Sequence, residues 1–238
     1  MAAPKRFFVE QVGEEVILTG DEFRHAHSVL RLKEGDEVTL LDGSGAEYDA
    51  VIAKSGRDSF TLHVVGRNVS DKEPKTAAYL LVGALKGDKT ELVVQKAVEL
   101  GIGKIGVFSS RYCAAYMNEN KLERLNRVAR EAAKQCLRAS VPEVVYFHSL
   151  SEALRSAEGY ENKLFACEFL EKSERGLYGL HGSCALVVGS EGGFTEEEYA
   201  LAGQLGFSGV SLGKRILRAE TAAIALTSVV MYCLGEWQ

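Results

Sequence analysis

The sequence contains no apolar stretch long enough for a membrane-spanning helix, which needs about 20 consecutive residues. Its first residues, MAAPKRFF, also lack the apolar core of a secretory signal. These two absences predict a cytosolic chain with no membrane partner.

Cysteine is scarce. The chain has five cysteines, an odd number, and no two of them form a C-x-x-C pair. This argues against a disulfide framework and against a zinc site, and it predicts buried, reduced thiols. The sequence also has no cluster of histidine and cysteine with metal-ligand spacing, so we expect no metal.

The usual nucleotide fingerprints are missing. GSEGGF at 189–194 is neither GxGxxG nor GxxxxGK[ST], and GALKGDK at 83–89 lacks the Walker spacing. NAD and ATP are therefore disfavoured, and with them a dinucleotide-dependent oxidoreductase. The net charge of −5 argues against indiscriminate nucleic-acid binding, so any contact with RNA requires a local basic patch.

What is present favours two globular domains. The 238 residues are 46% hydrophobic, enough for one moderate and one small core. From about residue 7 to 66 the apolar residues alternate with period two, which predicts short antiparallel strands in a small barrel or sandwich. A helix over 21–32, with Asp21 as its N-cap, interrupts them. The polar segment 67–76 reads as a linker, so we place the domains at 1–70 and 77–238.

The second domain alternates strand and helix, which predicts a mostly parallel sheet. We expect a helix over 89–100 that ends at Gly101, and capping boxes at Ser149/Glu152 and Thr195/Glu198. Six apolar runs give the predicted strands, at 78–85, 104–108, 144–147, 164–169, 185–189 and 209–212.

Two loops near the C-terminus carry the strongest signal, LVVGSEGGFTEEE at 186–198 and SLGKRILRAETA at 211–222. Each leaves an apolar run, crosses a turn with glycine and enters a helix. Both loops should therefore lie at the carboxyl edge of the sheet, where open α/β sheets bind their ligands. The helix that follows, TAAIALTSVVMYCL at 221–234, has almost no polar face, so we expect it in the domain centre or in a subunit interface.

The motifs GSEGGFT and SLGKRILRAETA closely resemble the C-terminal signature of the RsmE family, the 16S ribosomal RNA N3-uridine methyltransferases of the SPOUT superfamily. Ser190 departs from the family pattern, which usually has proline there. The other matching segments, in chain order, are RFF at 6–8, HAHSVLRLKEGD at 25–36, DGSG at 42–45, QKAVELGIGKI at 95–105 and EAAKQCLRASVP at 131–142.

The resemblance implies an α/β domain with a SPOUT-type, mostly parallel sheet and a C-terminal trefoil knot, preceded by a small PUA-like β-barrel domain that binds RNA. It implies S-adenosyl-L-methionine as cofactor, 16S rRNA within the small ribosomal subunit as substrate, and a homodimer. The implied cofactor contacts are Gly189, Glu191, Gly192, Gly193, Leu212, Gly213, Ile216, Leu217 and Arg218.

Methylation at N3 of uridine requires loss of the N3 proton and stabilisation of the resulting anion. Within this resemblance we expect Arg218 to stabilise the anion, with Arg138 as the second candidate. Glu220 either orients Arg218 or takes the proton, and we favour the orienting role because the neighbouring Arg218 weakens the carboxylate as a base. The segment 121–138 has six cations against Glu123 and Glu131, and we expect it to contact RNA phosphates. The candidate RNA-binding residues are Arg124, Arg127, Arg130 and Lys134, together with Arg6 and Arg31.

Two alternatives share these motifs. Another SPOUT enzyme, such as a transfer-RNA ribose methyltransferase, would use the same cofactor on a different acceptor. A non-enzymatic RNA-binding or assembly factor would have a degenerate loop that no longer binds the cofactor.

Overall fold

The computed structural model describes residues 5–168, 170, 173–174 and 176–237. The chain forms two compact units. The first comprises the residues up to 73 together with 133–141, and the second comprises 74–132 and 142–238. No helix in the described residues is both long and apolar enough to cross a membrane.

The first unit is built on a five-stranded sheet in the order β1-β3-β4-β5-β2. Its strands are β1 (Arg6–Phe8), β2 (Glu15–Leu18), β3 (Glu37–Leu41), β4 (Ala46–Ser55) and β5 (Phe60–Val69). The predicted antiparallel pairing is confirmed except at β1, which pairs with β3 in parallel. Two register shifts between β4 and β5 mark irregularities of the kind that bend a sheet.

The predicted helix after β2 is shorter and less regular than expected. It comprises α1 (Gly20–Arg24) and a π-helical turn over His25–Val29. The predicted N-cap was wrong: Thr19 caps α1 with an extended backbone, and Asp21 lies in the first turn. Phe23 points into the core of the unit and meets the ring of Phe60 edge to face at 5.0 Å.

Residues 133–141 are tied to the first unit through Glu73. The two carboxylate oxygens of Glu73 accept hydrogen bonds from the backbone N–H groups of Ala139 (2.7 Å) and Ser140 (2.9 Å) and from Arg138 Nη2 (3.0 Å). Burial acts to raise the pKa of Glu73, but the hydrogen bonds from Ser140 and the charge of Arg138 outweigh it and lower the pKa below its ordinary value. Glu73 is therefore an anion that fixes this segment.

The second unit is a sheet of six parallel strands in the order β11-β9-β10-β6-β7-β8 within the described residues. The strands are β6 (Ala78–Gly83), β7 (Lys104–Phe108), β8 (Glu143–Phe147), β9 (Asn162–Ala166), β10 (Cys184–Val188) and β11 (Ser208–Val210). The prediction of six strands in a mostly parallel sheet is confirmed. The predicted fourth strand extends to residue 169, which lies outside the described residues, whereas β9 ends at Ala166.

Five helices belong wholly or in part to this unit within the described residues. They are α2 (Lys89–Glu99), α3 (Glu119–Gln135), α4 (Leu150–Arg155), α5 (Glu196–Gln204) and α6 (Ala219–Cys233). Strand β10 is buried along its whole length, as expected of a central strand covered on both faces. The knotted path that the resemblance implies stays a prediction.

The predicted helix-end motifs form at α2 and α5 and form only in part at α4. Gly101 follows α2 with φ +95°, as predicted. Thr195 and Glu198 form both halves of a capping box at α5. At α4 only half of the box forms, because the side chain of Glu152 accepts from His148 N rather than from Ser149 N.

Candidate functional site

The two glycine loops lie at the carboxyl ends of β10 and β11, where they were predicted. Together with the end of β9 and the start of α2, they surround a cavity of about 970 Å³. Its volume falls at the upper end of the range typical of small-molecule sites. Eight of the nine predicted cofactor residues line it: Gly189, Glu191, Gly193, Leu212, Gly213, Ile216, Leu217 and Arg218.

Gly192 is the ninth, and it is not part of the cavity wall. A Cβ atom at this position would lie 2.5 Å from the Cβ of Tyr112 and 2.8 Å from its carbonyl oxygen. The absence of a side chain at Gly192 therefore lets the first loop lie directly against the segment that follows β7. This geometry accounts for a glycine at 192 by packing alone.

Gly193 and Gly213 are glycines because of their backbone conformation. Their φ values are +67° and +98°, in the left-handed region where residues with a Cβ are strained. Gly193 N also donates to Ser190 O at 3.0 Å, which closes a tight turn in the first loop. A side chain at 193 would in addition collide with the carboxylate of Glu168, another wall residue.

Ser190, the departure from the family pattern, is buried, and its hydroxyl has no hydrogen-bond partner among the residues that the structure describes. The end of β6 packs against it, since a Cβ at Gly83 would lie 2.5 Å from Ser190 N. The absence of a side chain at Gly83 therefore lets the first loop lie directly against the end of β6. Gly83 opens the GALKGDK segment but was not predicted as a site residue.

Glu191 points toward the start of α2. One of its carboxylate oxygens accepts from Lys86 N at 3.1 Å and from Lys89 Nζ at 3.3 Å. Burial acts to raise the pKa of Glu191, but these bonds, together with one from its own backbone, lower it below its ordinary value. Glu191 is thus an anion held by the segment between β6 and α2.

Arg218 lies on the cavity wall as the N-cap residue of α6, and it is exposed. Its guanidinium has no hydrogen bond or ion pair with the described residues. Glu220, two residues further on, is mostly buried, and its Oε2 lies 3.7 Å from Lys89 Nζ. The structure therefore pairs Glu220 with Lys89, although Glu220 was predicted to orient Arg218.

Lys89 is a charged wall residue that was not predicted from the sequence. GALKGDK lacks the spacing of a Walker phosphate-binding loop, so Lys89 was not predicted to lie at the site. A lysine at the first position of a helix, followed by the apolar face of α2, was the available signal, because a cation is disfavoured there.

Arg138, the second candidate for stabilising the uridine anion, is 4% exposed and held by Glu73 in the first unit. It does not line the cavity. Two RNA-binding candidates are also buried in ion pairs of that unit. Lys134 Nζ lies 2.7 Å from Glu22, and Arg6 donates to both oxygens of Glu47 at 3.0 Å.

The remaining RNA-binding candidates are exposed: Arg31, Arg124, Arg127 and Arg130. Arg124 Nε forms an ion pair with Glu91 at 2.8 Å, but its side chain is 62% exposed. Arg31 has a positive φ of +54°. The exposed arginines of the basic segment on α3 are therefore Arg124, Arg127 and Arg130.

Family models match both parts of the chain. The RNA methyltransferase domain matches residues 72–231, and the RNA methyltransferase PUA domain matches residues 18–65. These matches agree with the methyltransferase and PUA-like domains expected from the resemblance.

Similar proteins cover nearly the whole chain. Ribosomal RNA small subunit methyltransferase E of Bacillus subtilis (strain 168) is 29% identical over 96% of this chain and 96% of its own. The protein of the same name from Rickettsia conorii is 32% identical over 87% of this chain and 86% of its own. A crystal structure of ribosomal RNA small subunit methyltransferase E from Neisseria gonorrhoeae, bound to S-adenosyl methionine, is similar with a TM-score of 0.89. It is 29% identical and covers 97% of this chain and 98% of that chain.

Proposed function

Since the chain belongs to the family of ribosomal RNA small subunit methyltransferase E, we propose that it methylates N3 of a specific uridine in 16S rRNA, with S-adenosyl-L-methionine as methyl donor. The observation that carries the proposal is the cavity between the two glycine loops, in a chain similar along almost its full length to a structure bound to this cofactor. The substrate is the small ribosomal subunit, and the enzyme acts in the cytosol.

The residues of the cavity fit this cofactor. Without side chains, the glycines of both loops let the edge of an adenine ring approach the backbone, and Leu212, Ile216 and Leu217 offer apolar surface to its faces. Ile216 is 88% exposed, so its side chain is available for such a contact. When bound, the cofactor supplies a methyl group on a positively charged sulfur.

The protein's own residues position the acceptor base and stabilise the negative charge that develops on it. The cavity wall holds the acceptor base in line and excludes water from it. Arg218, exposed on the wall and without another partner among the described residues, stabilises the negative charge that spreads over N3 and the neighbouring carbonyl oxygens once the proton is lost. Glu220 stays paired with Lys89.

The test is transfer of labelled methyl from S-adenosyl-L-methionine to small ribosomal subunits that lack N3-methyluridine, followed by digestion to nucleosides. Label in N3-methyluridine at one site supports the proposal. Label in a 2′-O-methylated nucleoside would instead indicate a ribose methyltransferase. If calorimetry shows no saturable binding of the cofactor, the protein is a non-enzymatic RNA-binding or assembly factor.

We propose that Arg124, Arg127 and Arg130 contact RNA phosphates. Arg127→Ala should weaken binding of the rRNA several-fold and reduce the slope of log Kd against log salt by about 1. Arg155→Ala, which removes an exposed arginine from the last turn of α4, is the matched control. Equal salt slopes for Arg127→Ala and the wild type would remove Arg127 from the RNA-binding surface.

We also propose a homodimer that forms through α6. Val229 and Tyr232 are three residues apart, so they share one helix face, and they are 43% and 55% exposed. An apolar face of this kind is stabilised by burial against a second copy. Val229→Glu should therefore halve the mass measured by light scattering. A wild-type protein that is monomeric at micromolar concentration contradicts the proposal.

A further inference from the structure

Lys89 lies between carboxylates from the two loops of the cavity. Its Nζ is 3.3 Å from Glu191 Oε1, in the loop after β10, and 3.7 Å from Glu220 Oε2, at the start of α6 after the second loop. Lys89 also lines the cavity and is 30% exposed. One ammonium group thus bridges both loop segments.

The position of Lys89 in its own helix is unfavourable. It is the first residue of α2, where the partial positive charge of the helix end repels a cation. The two carboxylates offset this repulsion. A cation placed against its local preference, and compensated by groups from distant segments, indicates that its contacts serve the site and not the helix.

The negative charge of Glu220 is compensated by Lys89. Glu220 Oε2 is buried and has no hydrogen-bond partner in the described part of the chain, and the side chain of Glu220 is only 13% exposed. Among the described residues, Lys89 supplies the cationic group that lies within 4 Å of this oxygen. Loss of the cation would leave a carboxylate both buried and unpaired, which is strongly unfavourable.

The backbone turn that precedes Lys89 is held in place by hydrogen bonds. Thr90 Oγ1 accepts from Leu85 N at 2.9 Å and donates to Leu85 O at 3.2 Å, which locks the turn between β6 and α2. Lys86 N, in the same turn, donates to Glu191. The lysine therefore extends from a turn held by these hydrogen bonds toward both loop segments.

We propose that Lys89 is a positioning residue that clamps the two cofactor loops together. The inference rests on the proposed function in that it takes the cavity to be the cofactor site. Through Glu191 the clamp holds the first loop, and through Glu220 it sets the start of α6 and hence the position of Arg218. Loops held in place before binding lose less conformational entropy when the cofactor binds, so the clamp raises affinity.

The first experiment compares Lys89→Met with Lys89→Arg. Lys96→Met is the matched control, because Lys96 lies on the same helix and pairs only with its neighbour Glu99 among the contacts described. Calorimetry with S-adenosyl-L-methionine should show Kd raised about tenfold in Lys89→Met, largely restored in Lys89→Arg, and unchanged in Lys96→Met. An unchanged Kd in Lys89→Met, or an equal rise in Lys96→Met, overturns the proposal.

A double variant tests the buried charge directly. In Lys89→Met/Glu220→Gln the unpaired carboxylate is gone as well, so part of the lost affinity should return relative to Lys89→Met alone. The single variant Glu220→Gln completes the double-mutant cycle with the wild type, Lys89→Met and the double variant. Strictly additive losses would mean that Lys89 and Glu220 do not act together, which contradicts the clamp.

Hydrogen exchange of the cofactor-free protein separates this inference from the proposed function. Lys89→Met should speed exchange of backbone amides in 189–195 and 211–218, whereas Lys96→Met should not. Unchanged exchange in both loops refutes the clamp. If the wild type neither binds the cofactor nor methylates rRNA while Lys89→Met still loosens both loops, the proposed function fails and the clamp stands.

Discussion

We expect Arg218→Ala to lower kcat by about 100- to 1,000-fold, the loss typical when one group that stabilises developing negative charge is removed. Arg218 is exposed on the cavity wall, and its guanidinium has no hydrogen bond or ion pair with the described residues. Its removal should therefore leave the free energy of unfolding nearly unchanged. Single-turnover methyl transfer to small ribosomal subunits, with the cofactor saturating, measures the effect on the reaction alone.

Arg215→Ala is the matched comparison for this experiment, since Arg215 is also exposed on the same loop and lines the same cavity. A loss at Arg215 comparable to that at Arg218 would mean that the loop needs positive charge in general. A loss confined to Arg218 assigns the role to that side chain. Full activity of Arg218→Ala would exclude it from the mechanism.

Arg138→Ala should have the largest effect on stability. The side chain is 4% exposed and paired with Glu73, so the substitution leaves a partly buried carboxylate without its cation. Breaking a buried ion pair costs about 3 to 5 kcal/mol, and the partial exposure of Glu73 reduces this to about 2 to 4 kcal/mol. Urea unfolding followed by tryptophan fluorescence and circular dichroism measures the loss.

Glu73→Ala separates a structural role of Arg138 from the catalytic role considered in the sequence analysis. If Arg138 serves only the structure, both variants lose stability, Glu73→Ala also because it removes the acceptor of Ala139 N and Ser140 N, and both keep similar activity per folded molecule. If Arg138 acts on the substrate, Arg138→Ala loses methyl transfer that Glu73→Ala retains. Activity should be measured at a temperature where both variants are folded.

The pKa of Glu73 gives this contact a defined pH dependence. Its pKa is lower in the folded protein than its ordinary value of 4.5, so its contribution to stability is fully present above that value. The contribution is lost as the pH falls through the lower, folded-state pKa. The difference in unfolding free energy between wild type and Glu73→Ala should accordingly shrink below pH 4.5. A difference that stays constant down to strongly acidic pH contradicts this assignment.

Features that depend on neighbours in sequence were predictable. The capping box of Thr195 and Glu198 involves residues three apart, and the glycine loops follow runs of apolar residues that form β10 and β11. The carboxyl edge of a parallel sheet then brings the two loops to one cavity without further information. Asp21 failed as an N-cap because the backbone turns from extended to helical at Thr19, two residues earlier, so that α1 starts at Gly20.

Features that depend on distant partners were not predictable. Lys89 meets Glu191 across 102 residues of sequence, and no local pattern indicates that pair. The cations at Arg6, Lys134 and Arg138 look alike in the sequence to those at Arg124 and Arg127. Carboxylates from other segments pair with the first three in the interior, and only the fold determines which charges remain at the surface.

The order of the six parallel strands has a consequence for how the protein forms during synthesis. Strand β10 lies between β6 and β9, although it leaves the ribosome about 100 residues after β6. The sheet cannot be completed until Cys184–Val188 arrives, and both glycine loops follow that strand. Such long-range pairing makes folding slow, and until then the edges of β6 and β9 are unprotected. A nascent chain therefore gains its cofactor cavity only when nearly all of it has been made.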